Sequence, residues 1–306
     1  MDNKNLKPIT REIKSNPIRS NLEKPISTNV KNGIINHTLK KVIPKKEELT
    51  QEKEVPLVIE DKKISNEDFK KSQYTVKFAM EIYIFKKDKD VAIQVLKKAI
   101  EINPNNEIAY YNLGVIYAEK NEIILSINSF IKCLNINSRN ESARFNLANQ
   151  YIKKGDYDLA IKEYERILEE NEVSEDALYN LAYCHMNFKE SYEKAIEYFN
   201  QLIVINSIHI EAYFNLAYSY YCIDEKEKAI EIYTQLLLLE PDFSIVYYNL
   251  AMINHELERL DKAIFYLKKY IDVPKEASEY LYVRNARRRL REWKPSENIN
   301  IDDENT

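Results

Sequence analysis

An asparagine followed by leucine recurs five times along the chain at nearly constant spacing. Successive copies lie 34, 34, 35 and 34 residues apart. A primary amide offers one hydrogen-bond acceptor and one donor group, and so it can bond to a peptide unit without regard to the neighbouring side chains. The chemistry open to this row is therefore hydrogen bonding. Its members are Asn112, Asn146, Asn180, Asn215 and Asn249.

An aromatic residue stands immediately before each asparagine. If this row faces solvent, the surface around the asparagines is aromatic and suits large apolar side chains of a partner. If it faces inward, it packs the repeats together, and the sequence leaves both possibilities open. The row consists of Tyr111, Phe145, Tyr179, Phe214 and Tyr248.

Two apolar stripes within each repeat must position these side chains. In the copy YYNLGVIY at 110–117 the asparagine lies on the first stripe. A small residue such as Ser126 follows the motif leucine by thirteen residues, and a bulky residue, here Phe130, comes four later. Apolar spacings of three to four on either side of a short polar turn predict a helix, a turn and a second helix.

This joint pattern resembles the tetratricopeptide repeat family, whose unit of 34 residues has the same order of aromatic, Leu-Gly/Ala, Tyr, Ala and aromatic positions. The resemblance implies an all-α, right-handed solenoid of about six units. Outside the repeats, the helical pattern after Pro274 predicts a C-terminal capping helix over 278–294. Five prolines and no aromatic residue before Ser65 predict a disordered N-terminal tail over 1–64. Phe78-Ala79 replaces Asn-Leu in the first, weaker unit. The predicted solenoid spans 65–277, and its units are 73–106, 107–140, 141–174, 175–209, 210–243 and 244–277.

The resemblance also implies a function. In this family the first helices line a concave groove, and asparagines at this place hydrogen-bond the backbone of a bound peptide. Five such bonds, each worth about 0.5 to 1.5 kcal/mol net, would give moderate affinity. The chain is thus predicted to be a non-enzymatic scaffold that holds an extended peptide or a partner helix. A cationic clamp for acidic chaperone tails is not evident, since these helices offer only Arg144, Lys153 and Lys154.

Charge suggests an alternative partner. The segment 1–46 carries eleven Lys or Arg and three acidic residues, whereas the whole chain has a net charge of −4. This basic tail, together with the arginines of the capping helix, could bind RNA or an anionic surface, or the tail could dock on its own acidic body. A solvated basic face is the other interpretation of these arginines, which are Arg284, Arg287, Arg288 and Arg291. Residues 295–306 are predicted to form an acidic, frayed tail.

Catalysis and cofactor binding find little support. The chain has three glycines and no glycine-rich phosphate loop. Its three cysteines lie in separate repeats without paired spacing, and Cys184 and His185 are adjacent, which points their side chains apart on a helix. We therefore predict no enzyme activity, metal or cofactor. With no signal segment and no apolar stretch of spanning length, the expected location is cytoplasmic. The partner's identity and the oligomeric state stay open.

Overall fold

A computed structural model describes residues 64–273 and 280–293 of the chain, and the side chains of 280–282 are outside that description. The described residues form thirteen α-helices and contain no β-strand. Of the predicted N-terminal tail, 1–64, residues 1–63 lie outside the described residues, and so does the predicted C-terminal tail, 295–306. None of the described helices is both long enough and apolar enough to cross a membrane.

From α1 to α12 the helices follow one another with short turns. A π-helical turn, Ile82–Lys86, continues directly from α1. The helices are α1 (Asn66–Glu81), α2 (Lys89–Ile102), α3 (Glu107–Glu119), α4 (Ile123–Ile136), α5 (Glu141–Lys154), α6 (Tyr157–Glu170), α7 (Glu175–Phe188), α8 (Tyr192–Ile205), α9 (Ile210–Cys222), α10 (Lys226–Leu239), α11 (Ser244–Glu256), α12 (Leu260–Asp272) and α13 (Tyr280–Trp293).

The described residues fall into two compact units. The N-terminal unit, 64–170, contains α1 to α6, and the C-terminal unit, from 171 onward, contains α7 to α13. In each unit consecutive helices pack as pairs, and each pair packs on the next. This is the stacked helix-pair architecture of an α-solenoid, so the all-α repeat fold predicted from the sequence is confirmed.

The turn inside each helix pair repeats one backbone conformation. A residue with positive φ occurs in the connection at positions 87, 121, 155, 190, 224 and 258, with the spacing of the sequence repeat. Only Gly155 among them is a glycine, the residue that adopts this left-handed conformation without steric cost. At Glu190 and Glu258, packing of the two helices holds a conformation that the residue itself disfavours.

Helix α13 packs on α12 at the C-terminal end of its unit. It buries Val283, Ala286 and Leu290, and its Trp293 ring stacks on His255 of α11 with ring centroids 4.3 Å apart. Because the end of a repeat stack otherwise exposes an apolar face, this helix covers the end of the C-terminal unit.

Candidate binding surface

The aromatic row packs inside the helix pairs. In each copy the ring lies against an aromatic ring of the second helix at a tilted or edge-on angle, which is the geometry that aromatic quadrupoles favour. The centroid distances are 6.0 Å for Tyr111 and Phe130, 5.6 Å for Phe145 and Tyr164, 5.9 Å for Tyr179 and Phe199, 5.8 Å for Phe214 and Tyr233, and 5.4 Å for Tyr248 and Tyr270.

Burial follows from this packing. Phe214 has no exposed surface, and Phe145, Tyr179 and Tyr248 are also buried, so of this row only Tyr111 is partly open to solvent. The sequence left open whether the row faces a partner or packs the repeats, and in this structure its rings pack the repeats. The burial therefore favours packing over ligand contact for Phe145, Tyr179, Phe214 and Tyr248.

The asparagine row divides into two groups. The first consists of Asn112, Asn146 and Asn180, whose side chains are partly exposed. In each of them the amide Nδ2 donates to the backbone carbonyl four residues earlier, at 2.8, 2.9 and 2.7 Å respectively. The three side chains thus share one orientation on their helices.

That orientation leaves an acceptor available. A carbonyl oxygen only accepts hydrogen bonds, so it must face the amide nitrogen, and the amide oxygen of the same side chain points away from the helix. Within the described part of the chain no group donates to the Oδ1 atoms of Asn112, Asn146 and Asn180. Each can accept a hydrogen bond from a ligand N–H.

The second group, Asn215 and Asn249, is buried. Asn215 Nδ2 donates to the hydroxyl of Tyr179 at 3.1 Å, and Asn249 Nδ2 donates to the hydroxyl of Tyr233 at 3.0 Å. Asn249 has no exposed surface, so a ligand cannot reach it without rearrangement. Each of these amides binds one buried tyrosine hydroxyl, which favours a packing role over ligand contact for Asn215 and Asn249.

In two cases the tyrosine before one asparagine lies within hydrogen-bonding distance of the next asparagine along the chain. Tyr179 supplies a hydroxyl to Asn215 one helix pair later, and Tyr111 lies in the same relation to Asn146, with a longer separation of 3.4 Å. Phe214 has no hydroxyl, and Asn249 turns to Tyr233 instead. The choice of Tyr or Phe does not by itself divide the asparagines, because Asn146 and Asn215 both follow a tyrosine of the preceding repeat, yet the first is partly exposed and the second is buried.

An aromatic surface on α1 and the π-helical turn after it was not predicted from the sequence. Tyr74, Phe78 and Phe85 are 72%, 54% and 80% exposed, which is unusual for side chains of this size. Phe78 occupies the position, 34 residues before Asn112, at which the later first helices carry the asparagine. The 34-residue spacing of the repeats could therefore have shown that an aromatic residue replaces the asparagine here.

The arginines of α13 lie mostly on its exposed side. Arg284, Arg288 and Arg291 are exposed and Arg287 is partly exposed. Arg288 lies 3.9 Å from the carboxylate of Glu292, and both side chains are well exposed. Such a pair contributes little, so this helix face remains cationic.

The buried cysteines and histidine do not form a reactive site. Burial raises the pKa of both the Cys133 and the Cys184 thiol to about 12, so neither forms the thiolate that nucleophilic chemistry needs. His185 stacks on Tyr198, and neither ring nitrogen has a hydrogen-bond partner among the described residues. Across residues 64–273 and 280–293 no group of three or more His, Cys, Asp or Glu side chains is placed to hold a metal ion.

Comparison with known families gives consistent matches. Models described as "TPR repeat" and "Tetratricopeptide repeat" match residues 82–121, 145–207, 108–140, 210–243 and 245–276. Together these matches cover more than half of the chain. No curated protein matches it significantly.

Solved structures share the fold at low sequence identity. A tetratricopeptide repeat protein from Parabacteroides merdae is 18% identical with a TM-score of 0.57, covering 76% of this chain and 95% of its own. PilF of Pseudomonas aeruginosa is 18% identical with a TM-score of 0.54, covering 72% and 99%. YrrB, described as a TPR protein with an unusual peptide-binding site, is 23% identical with a TM-score of 0.53, covering 62% and 97%.

Proposed function

Since the chain belongs to the tetratricopeptide repeat family, we propose that it is a non-enzymatic scaffold that binds a partner polypeptide through the exposed amides of its first helices. Repeat proteins of this family are in general scaffolds for protein–protein interaction. YrrB, which has the same fold, is described as having a peptide-binding site. Fold alone does not define a ligand, so the proposal depends on the side chains themselves.

The observation that carries the proposal is the shared orientation of Asn112, Asn146 and Asn180. Each amide nitrogen is engaged by its own helix, and each amide oxygen is presented to solvent without a donor from the described residues. A peptide backbone supplies N–H donors of the kind these oxygens lack. The proposed contact is therefore from ligand N–H to asparagine Oδ1.

Two of these asparagines lie within the N-terminal unit. Asn112 is on α3 and Asn146 is on α5, and these two helices contact each other directly. Ile108, which is 45% exposed, lies one turn before Asn112 on α3. An apolar side chain of the ligand beside a backbone N–H suits this combination of an exposed isoleucine and two amides.

A peptide-binding experiment tests the proposal. A peptide selected by display against the full chain should bind the Asn112→Ala/Asn146→Ala variant more weakly by about 1 to 3 kcal/mol, roughly 5- to 150-fold in affinity. Fluorescence anisotropy with the labelled peptide measures the change.

The control is Asn128→Ala, which removes an exposed asparagine from α4, a second helix. It should leave the affinity unchanged. Equal affinity of the wild type and the Asn112/Asn146 variant, with both equally helical by circular dichroism, would contradict the proposal.

A second candidate function rests on α13. Arg284, Arg288 and Arg291 are exposed at spacings of four and three residues, which places them on one side of the helix. We propose an anionic ligand such as single-stranded RNA for this face.

Binding of an RNA oligonucleotide should weaken steeply with salt, and Arg284→Ala/Arg291→Ala should reduce the slope of log affinity against log salt by about one to two. An unchanged slope would exclude this face as the contact.

A further inference from the structure

Six exposed side chains form a regular line along α1 and the π-helical turn that follows it. Their spacings are four, three, four, three and four residues, the pattern by which one side of a helix meets a partner helix. Every member is exposed to solvent. This line, here called the α1 seam, consists of Glu67, Lys71, Tyr74, Phe78, Glu81 and Phe85.

The seam lies on the side of α1 that faces away from the core. The buried side chains of the helix are Ser72, Val76 and Ala79, at spacings of four and three residues. Ser72 Oγ donates to the carbonyl of Ala99 at 2.8 Å, which fixes that side against α2. Tyr74 is two residues from Ser72, or about 200° around the helix, so it and the rest of the seam point outward.

The four inner residues of the seam are complementary to their own reverse, whereas the outer pair sets Glu67 against Phe85. Around a centre between Tyr74 and Phe78, Lys71 on one side matches Glu81 on the other. In an antiparallel pair of identical helices, Tyr74 therefore meets Phe78 of the second copy, and Lys71 meets Glu81 of the second copy. A two-fold axis repeats each contact, as an isologous interface requires.

We propose that α1 of this chain pairs with α1 of a second copy through the seam, forming an antiparallel two-fold dimer. The aromatic residues supply the apolar area, and the two Lys71–Glu81 pairs set the register. Charged residues at seam positions reduce the stability of helix pairs but fix their alignment. A strongly acidic or strongly basic partner fits less well, because the seam carries charges of both signs.

The size of the seam determines how tight the dimer is. From Glu67 to Phe85 it extends about 27 Å at 1.5 Å per residue. One pair of helices of this length buries an area at the low end for specific protein interfaces. The dimer should therefore form and dissociate with protein concentration.

Charge reversal tests the register directly. Sedimentation velocity of the full chain over a wide concentration range should show a monomer–dimer equilibrium for the wild type. Lys71→Glu alone places two carboxylates opposite each other across the seam, and Glu81→Lys alone places two ammonium groups opposite each other. Each single variant should therefore be shifted to monomer. The double variant restores opposite charges and should dimerise again.

Mixing the two single variants gives a second readout. A Lys71→Glu chain and a Glu81→Lys chain have complementary seams, so their equimolar mixture should form a heterodimer although neither forms a homodimer. Lys98→Glu, at an exposed position of α2, serves as the matched charge control and should behave as the wild type. A wild type that stays monomeric at every concentration, or a mixture without heterodimer, would overturn the proposal.

Discussion

Glu163→Ala is expected to lower the free energy of unfolding by about 3 kcal/mol, one of the two largest effects that we predict for a single substitution. Glu163 accepts hydrogen bonds from Arg144 at 2.9 Å and from Arg166 at 2.8 Å. Both Glu163 and Arg144 are buried, whereas Arg166 is exposed. Removing the carboxylate leaves the Arg144 guanidinium in the protein interior, where it still donates to the carbonyl of Ser138.

A double variant separates the loss of the carboxylate from a loss of packing. Arg144→Leu/Glu163→Leu removes both buried charges together and keeps apolar volume, and replacements of this kind are often neutral. Urea denaturation followed by circular dichroism should thus give a much smaller loss for the double variant than for Glu163→Ala. Equal losses in the two variants would indicate that packing, and not the unpaired charge, sets the cost.

His185→Phe is expected to raise stability, by roughly 1 kcal/mol near neutral pH and by more under acidic conditions. The imidazole is buried against Tyr198, and both ring nitrogens lack a hydrogen-bond partner within the described residues. Burial, together with the charges of Lys194 and Lys189, lowers its pKa below the ordinary value of 6.5. Phenylalanine fills the same site without polar atoms that lack partners.

The direction of the pH effect follows from linkage. Because the folded-state pKa of His185 is depressed, the unfolded chain binds more protons below about pH 6.5, and the wild type loses stability as the pH falls through that range. Thermal unfolding of both proteins at about pH 8 and pH 5 measures the difference. His255 should leave the variant with part of the acid sensitivity, since burial and Arg289 lower its pKa as well. An equal gain at both pH values would contradict the assignment.

The repeat fold could be predicted from the sequence because the same pattern occurs five times. A helix pair that buries its aromatic residues against its neighbour needs the same residue types at the same places, and recurrence at Asn112, Asn146 and Asn180 fixed the period. The turn conformations were harder to predict from the sequence. Glu190 and Glu258 adopt positive φ without any glycine signal, because packing of the flanking helices imposes it.

The candidate surface could be predicted only in part. Asn112 and Asn249 each precede the leucine of the repeat motif, yet Asn112 is partly exposed and Asn249 is fully buried. The two asparagines differ in the side chains that surround them in the folded chain. Asn249 donates a hydrogen bond to the hydroxyl of Tyr233, and Tyr233 lies sixteen positions earlier on a different helix. The motif around an asparagine therefore shows that it lies on a first helix but does not reveal its hydrogen-bond partners.

The exposed aromatic residues of α1 illustrate a second limit. In the sequence alone, phenylalanine at the asparagine position indicates only that the first repeat, which contains Phe78, is a weaker copy of the motif. In the structure it is 54% exposed beside Tyr74, on the outer side of the first helix described. Its significance depends on which side of α1 is free of neighbours, and this is a property of the packed unit.

The most direct test of polypeptide binding by the asparagine oxygens combines a protein variant with a modified ligand. In the selected peptide, the backbone N–H opposite Asn146 is replaced by an ester oxygen, which removes the donor and keeps the shape. We predict that this ester weakens binding to the wild type by about tenfold and has little effect on binding to Asn146→Ala, so that the two changes are coupled. If ester replacement at each backbone N–H in turn weakens binding to both proteins equally, the amide oxygen of Asn146 does not accept a hydrogen bond from the ligand.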